Sequence, residues 1–324
     1  MTEDTISVPF DVYRYTPGKD TTARYQRYTL DLVPHTPILT ALLQIRSEID
    51  PSLGLRYSCR SAICGSCAMQ INSKSRLACE TQVGPEVARH GRIVVEPMRN
   101  APVIRDLIVD QTRFWREYAK IEPHLKLDPR IPMPAGKPTS MSPAQVERFK
   151  ETPRCIACAA CFSACPAAEA DAEFPGPMAL AKLYRFAVDP RDTAYRERLT
   201  RIQPNGLWLC LRCHLCTEAC PKDVRPSERI RDIKEMAITV QGATELGSRH
   251  AVGFKENLKG AGQLNEMKLV RATDGLMGMV GQLGQGIRIY RKKPEIMKKP
   301  RKIEGMDELE KIYAALDTPS KEER

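Results

Sequence analysis

Twelve cysteines constrain this chain more than any other feature, because they fall into three groups of four with none left over. Cys59, Cys64, Cys67 and Cys79 form the first group, Cys155, Cys158, Cys161 and Cys165 the second, and Cys210, Cys213, Cys216 and Cys220 the third. A lone cysteine is ordinarily a small buried hydrophobe, but repeated quartets at fixed spacing point to shared ligation. The first residues, Met1-Thr2-Glu3-Asp4, are acidic and lead into no apolar core, so no secretory signal is expected. In a reducing interior thiols do not pair as disulfides, which leaves metal ligation as the expected role.

The spacing selects the metal. Cys59-x4-Cys64-x2-Cys67 followed by Cys79 is the plant-type pattern for a [2Fe-2S] cluster, with Gly65 and Ser66 keeping the loop compact. Arg60 either offsets the charge of that cluster or is simply exposed. The later groups are two copies of the bacterial run C-x2-C-x2-C-x3-C-P, ending at Cys165-Pro166 and Cys220-Pro221. In such runs the fourth cysteine serves the other cluster. Cys155, Cys158, Cys161 and Cys220 are therefore expected to hold one [4Fe-4S] cluster, and Cys165, Cys210, Cys213 and Cys216 a second, or a [3Fe-4S] without Cys213. Zinc also uses C-x2-C pairs, but these runs place too many thiols on one short turn for a tetrahedral ion. His214, inside the third group, reads as a spacer.

Around the cysteines the pattern predicts an α+β protein. Ser7 to Tyr15, Tyr25 to Val33, Ala68 to Ile71 and Arg92 to Val95 read as strands, and Pro37 to Ile49 as a helix presenting Ile38, Leu39, Leu42, Leu43 and Ile45. Leu107, Ile108, Phe114, Trp115, Tyr118 and Ile121 fit a helical stripe, followed by a strap containing Pro123, Pro129, Pro132, Pro134 and Pro138. Ser142-Pro143-Ala144-Gln145 has the form of a capping box, opening a helix to about Thr152. Further helices are expected over Pro177 to Val188 and Arg225 to Val240. The tail holds one clear stripe, Met306, Leu309, Ile312, Tyr313 and Leu316. Gly275, Gly278, Gly281 and Gly284 mark either a close-packing face or a loose, turn-rich segment.

The expected domains are an N-terminal β-grasp ferredoxin domain over 1–105, an all-α bacterial-ferredoxin-like domain with two cubanes over 106–240, and a basic, partly helical extension over 241–324 that contacts partner subunits. The net charge is +10, and from Arg288 to Lys302 eight residues are basic against one acidic, Glu295. A solvated run is the ordinary reading; docking to an anionic membrane face or an acidic subunit is the alternative. No apolar stretch reaches the ~20 residues of a membrane span. Nucleotide-binding glycine motifs and a Ser/His/Asp arrangement are both missing, so no catalytic residue is assigned and substrate chemistry is expected in a partner. A zinc-rich nucleic-acid-binding protein is the competing reading from another class.

The segments Ser58-Cys59-Arg60-Ser61-Ala62-Ile63-Cys64-Gly65-Ser66-Cys67-Ala68-Met69 and Pro102-Val103-Ile104-Arg105-Asp106-Leu107-Ile108-Val109-Asp110, with the order of the quartets, resemble the iron-sulfur subunit of succinate dehydrogenase and fumarate reductase. The resemblance spans roughly residues 8 to 232 and implies an enzyme subunit of the tricarboxylic acid cycle and respiratory complex II. It implies an FAD-bearing flavoprotein partner, a membrane anchor, and electrons relayed towards a quinone at the cytoplasmic face of the membrane. Three departures stand out. Ala62 occupies a position where that family carries glycine, and Cys213 one where it carries a non-cysteine residue and a [3Fe-4S] cluster. Ala167, Ala168, Glu169 and Leu211 stand where its quinone-pocket tryptophans and histidine lie. The departures resemble complexes whose anchor is a cysteine-rich, heterodisulfide-reductase-like subunit, and Phe254 to Glu266 resembles the small iron-sulfur subunit of heterodisulfide reductase. An iron-sulfur subunit of another respiratory or heterodisulfide-linked oxidoreductase is the related alternative.

Overall fold

A computed structural model describes residues 4–128, 130, 140–294 and 300–317. Two compact units emerge, Met1–Ile233 and Lys234–Arg324.

The first unit begins with a sheet of five strands in the order β2-β1-β5-β3-β4, where β1 is Ile6–Arg14, β2 Arg24–Leu32, β3 Ala68–Ile71, β4 Lys74–Leu77 and β5 Ile93–Glu96. Alternation in β1 sends Val8, Phe10 and Val12 into the core, as a strand's two-residue period requires. β1 pairs antiparallel with β2 and parallel with β5. α1 (Ile38–Gln44) buries Ile38, Leu39, Ala41 and Leu42, then widens into a π-turn over Ile45–Ile49. β4 and α2 (Val83–His90) are additional to the sequence expectation. Both are short and carry polar residues that hide their periodicity: β4 alternates Ser75 and Leu77 inward, and the Glu86 of α2 is buried against Arg76 and Asn72.

The helical stripe expected from Leu107 is corrected. Val103–Arg105 (β6) and Ile108–Val109 (β7) form a small hairpin, and α3 starts only at Thr112, running to Lys120. Asp106 sits at the hairpin turn with φ 47, and its buried carboxylate accepts from Arg14 Nε, the Tyr15 N–H and the Gly54 N–H. These three donors fix a turn where a helix would leave the carboxylate unsatisfied.

Short helices follow: α4 (Pro143–Glu147), α5 (Ala160–Ser163), α6 (Pro166–Ala170), α7 (Pro177–Ala187), α8 (Tyr195–Ile202), α9 (Leu215–Glu218) and α10 (Pro226–Gln241). The capping box at Ser142 and Gln145 forms in full, but α4 stops at Glu147 instead of reaching Thr152. Thr152–Arg154 is a separate 3-10 turn that brings the chain to Cys155. Pro129, Pro132, Pro134 and Pro138 lie outside the described residues. Arg198 in α8 is buried, paired with Asp192 and bonded to the carbonyls of Ile121, Glu122 and His124, so it clamps the end of α3 to α8.

The second unit contains α11 (Leu246–Ala261), α12 (Glu266–Gly281), α13 (Leu283–Lys292) and α14 (Met306–Asp317). α11 packs on α12 and on α14. Gly253 permits the first of these contacts, because a Cβ there would meet the Ala272 Cβ at 2.8 Å. The loose, turn-rich reading of the Gly275 to Gly284 stretch is corrected: these glycines lie within α12 and α13, with one break at Gly275 (φ 69, ψ −173). Of the basic run, residues 295–299 are outside the described set. Among the described residues no helix is long and apolar enough to cross a membrane.

Candidate metal centres

None of the twelve cysteines is paired in a disulfide. The first loop projects from the sheet between α1 and β3, with Cys67 buried beside β3 and Cys79 just after β4; Cys59 and Cys64 are exposed. Left-handed backbone at Arg60 (φ 58), Ala62 (φ 56) and Gly65 (φ 75) turns successive N–H groups inward. Those of Ser61, Ile63 and Cys64 donate to Cys59 Sγ at 3.3, 3.4 and 3.2 Å. The Ala62 N–H donates to Cys79 Sγ at 3.2 Å, and the Cys59 N–H to Cys64 Sγ at 3.4 Å. Ala62 thus carries a Cβ in left-handed space, at the strain that conformation costs. Arg60 is exposed, its guanidinium 5.4 Å from the centre of the Tyr57 ring.

Burial pushes the Cys67 thiol up to about 12, whereas the Ser66 hydroxyl and the Cys59 N–H hold Cys64 down to about 6. Three sulfurs that accept N–H donors beside a fourth that is buried suit a positively charged iron core, which supplies the countercharge thiolates need.

The two bacterial runs fold alike. In the first, Ala157 (φ 52) and Ala159 (φ 62) flank Cys158; in the second, Arg212 (φ 57) and His214 (φ 65) flank Cys213. Each run then enters a single helical turn, α5 or α9, and these two turns pack against each other. His214 opens α9 with its Nδ1 2.9 Å from Ser227 Oγ, which makes it a brace of the turn.

The fourth cysteines cross over. Cys220 is an electrostatic neighbour of Cys155, Cys158 and Cys161. Cys165 has Cys210 and Cys213 as its neighbours, and a cavity is walled by Cys165, Cys210, Cys213 and Cys216 together. Burial, then the neighbouring thiols, pushes Cys158 up to about 11 and Cys216 to about 12, and drives the buried Cys161 well upward. Among the described residues no three His, Cys, Asp or Glu side chains converge tightly enough to grip a single ion. Four thiols around one cavity supply the donor set that a [4Fe-4S] core takes.

Two links tie these turns to the sheet, and neither carries a periodic signal in the sequence. Ser163 Oγ receives Gln70 Nε2 at 2.8 Å and the Arg99 N–H at 2.9 Å. Asn100, in left-handed backbone (φ 62), donates Nδ2 to the carbonyls of Phe162 and Cys165 at 2.7 and 2.9 Å. An asparagine just before Ala101-Pro102 was the only local hint of such a turn.

Residues 9–116 match the family described as 2Fe-2S iron-sulfur cluster binding domain, and residues 151–224 the 4Fe-4S dicluster domain. The fumarate reductase iron-sulfur subunit of Haemophilus influenzae is 36% identical over 235 residues, covering 69% of this chain and 90% of that protein. The chain belongs to the succinate dehydrogenase/fumarate reductase iron-sulfur subunit family. Its relatives include the fumarate reductase subunit of Mycobacterium tuberculosis, 36% identical over 72% of this chain and 93% of that one. The mitochondrial succinate dehydrogenase iron-sulfur subunit 1 of Oryza sativa is 37% identical over 71% and 82%. A solved structure, the Mycobacterium smegmatis Sdh1 complex in the apo form, superposes with a TM-score of 0.65 at 26% identity over 73% of this chain and 98% of that one. This iron-sulfur subunit is an electron-transfer component of an oxidoreductase and binds 2Fe-2S and 4Fe-4S clusters. Membership in the family displaces the nucleic-acid-binding reading, and it implies a flavoprotein and a membrane anchor as partners.

Proposed function

We propose that the subunit relays electrons between the FAD of its flavoprotein partner, which interconverts succinate and fumarate, and an acceptor at the cytoplasmic face of a membrane. In this reading Cys59, Cys64, Cys67 and Cys79 hold [2Fe-2S] in a β-grasp domain over 1–105. Cys155, Cys158, Cys161 and Cys220 hold one [4Fe-4S] in the helical domain over 106–240, and Cys165, Cys210, Cys213 and Cys216 hold a second. Bound there, the clusters supply one-electron carriers in series. The chain's own part is to fix the sulfurs and point N–H groups at them, which favours the more negative, reduced state.

One observation carries the second [4Fe-4S]. The turn around Cys213 repeats the turn around Cys158, with left-handed residues on both sides, and Cys213 faces the same cavity as Cys165, Cys210 and Cys216. A thiol at that corner can hold a fourth iron. Where the family's quinone pocket would stand, Ala167 and Ala168 are buried and Leu211 is exposed. That substitution favours a cysteine-rich, heterodisulfide-reductase-like anchor as the acceptor, with the quinone reached through it. The test is to isolate the native complex anaerobically, identify its subunits, assay succinate with a dye acceptor and record EPR spectra. A signal of oxidised [3Fe-4S] in that preparation would refute the second cubane. A complex with neither succinate nor fumarate activity would point to another respiratory oxidoreductase.

A further inference from the structure

The second unit carries a surface that the relay does not use. Every residue from Gly281 to Pro294 is exposed, so α13 is a helix with no buried face. A Cβ built on Gly281, Gly284 or Gly286 would meet nothing within 4 Å. Helices this short are marginal in water without tertiary packing, so the sequence must form this one for a surface outside the chain.

Its sides are chemically distinct. Leu283, Ile287 and Tyr290 follow an i, i+4, i+7 spacing along one face, while Arg288 and Lys292 lie on the opposite one and Arg291 at the border. The preceding end of α12, set off by the break at Gly275, adds exposed Leu276, Met277 and Val280; Met277 is 86% exposed. From Leu276 to Pro294 there are four basic residues and no acidic one. Apolar side chains on one face with arginine and lysine on the other is the pattern of a helix lying in the plane of a bilayer surface. There the apolar face enters the acyl boundary and the cations meet anionic headgroups.

We propose that α13, with the end of α12, docks this subunit onto an anionic lipid surface. The inference deepens the proposed relay, since it brings the chain to the membrane where the acceptor lies. It is tested without electron transfer, so the two can fail separately.

The full chain with its clusters is sedimented with vesicles of pure phosphatidylcholine and with vesicles rich in phosphatidylglycerol. Binding to the second and not the first is expected, weakening as salt rises. The exposed double variant I287D/Y290D should abolish binding while leaving cluster absorbance unchanged. R288Q/R291Q/K292Q should weaken it roughly a hundredfold, at about a factor of five per charge. Failure of the wild type to bind phosphatidylglycerol vesicles would overturn the proposal, as would undiminished binding by I287D/Y290D. If that variant instead loses an anchor subunit from the purified complex and still binds vesicles, the surface belongs to a protein partner.

Discussion

A side chain at Gly65 would place its Cβ 2.9 Å from the Cα of Cys158, and 3.1 Å from the Ile156 carbonyl oxygen. Gly65 belongs to the first cysteine loop and Cys158 to the second quartet, so the missing side chain lets one cysteine turn rest directly on another. A glycine in left-handed backbone (φ 75) permits that approach, and clusters held by these two loops in the proposed relay would be brought close. Gly65→Ala should destabilise the protein by about 2 kcal/mol, combining positive φ with a clash against backbone that cannot yield. Thermal unfolding and iron content per chain check this. A fully loaded variant of unchanged stability would show that the loops do not lean on each other.

Cys213→Ser should remove one iron and leave the other clusters intact. The expected readout is a new [3Fe-4S] EPR signal in the oxidised variant beside an unaltered [2Fe-2S] signal. Retention of all iron would mean that Cys213 is a bystander.

Arg198 and Asp192 are both fully buried and paired at 3.0 Å. Asp192→Asn leaves the guanidinium buried without its countercharge, a situation that costs about 3–5 kcal/mol. Chemical denaturation should show a loss of that order. Arg198→Met, which removes the charge and orphans three carbonyls, should also destabilise.

Acid should weaken the helical region through Asp189. Burial alone would raise this carboxyl, but the Arg191 and Arg185 guanidiniums outweigh burial and hold it down to about 2 from a usual 3.8. A folded value below the unfolded one means the stabilisation is complete above about pH 4 and fades as pH falls through about 2. Denaturant midpoints measured across that window should drop less steeply in Asp189→Asn. An identical slope would exclude Asp189 from the acid response.

Asn100→Ala removes the side-chain donor that bridges the carbonyls of Phe162 and Cys165, next to the quartet turns. A loss of about 1–3 kcal/mol is expected. Faster release of iron to a chelator would show that the link also holds the cluster turns in place.

Much of this molecule was legible in its residues because the signals are local. Cysteine spacing points to iron-sulfur chemistry since three thiols of each group lie within a few residues of one another, and Val8, Phe10 and Val12 alternate because a strand does. The capping box at Ser142 was readable for the same reason. The reach of α4, the β6–β7 hairpin in place of a helix from Leu107, and the polar elements β4 and α2 were not, because each is decided by partners distant in the chain. Asp106 closes its turn only because Arg14 and Gly54 arrive beside it.

By itself, then, the order of amino acids determined that the thiols come in quartets and what metal chemistry suits them. Only the tertiary structure decided that the Cys158 turn bears on Gly65, that Cys213 joins Cys165 around one cavity, and that α13 stands with every side open to solvent. Spacing encodes how a segment curls on itself, whereas packing between segments depends on shapes and charges that meet only after the chain has closed.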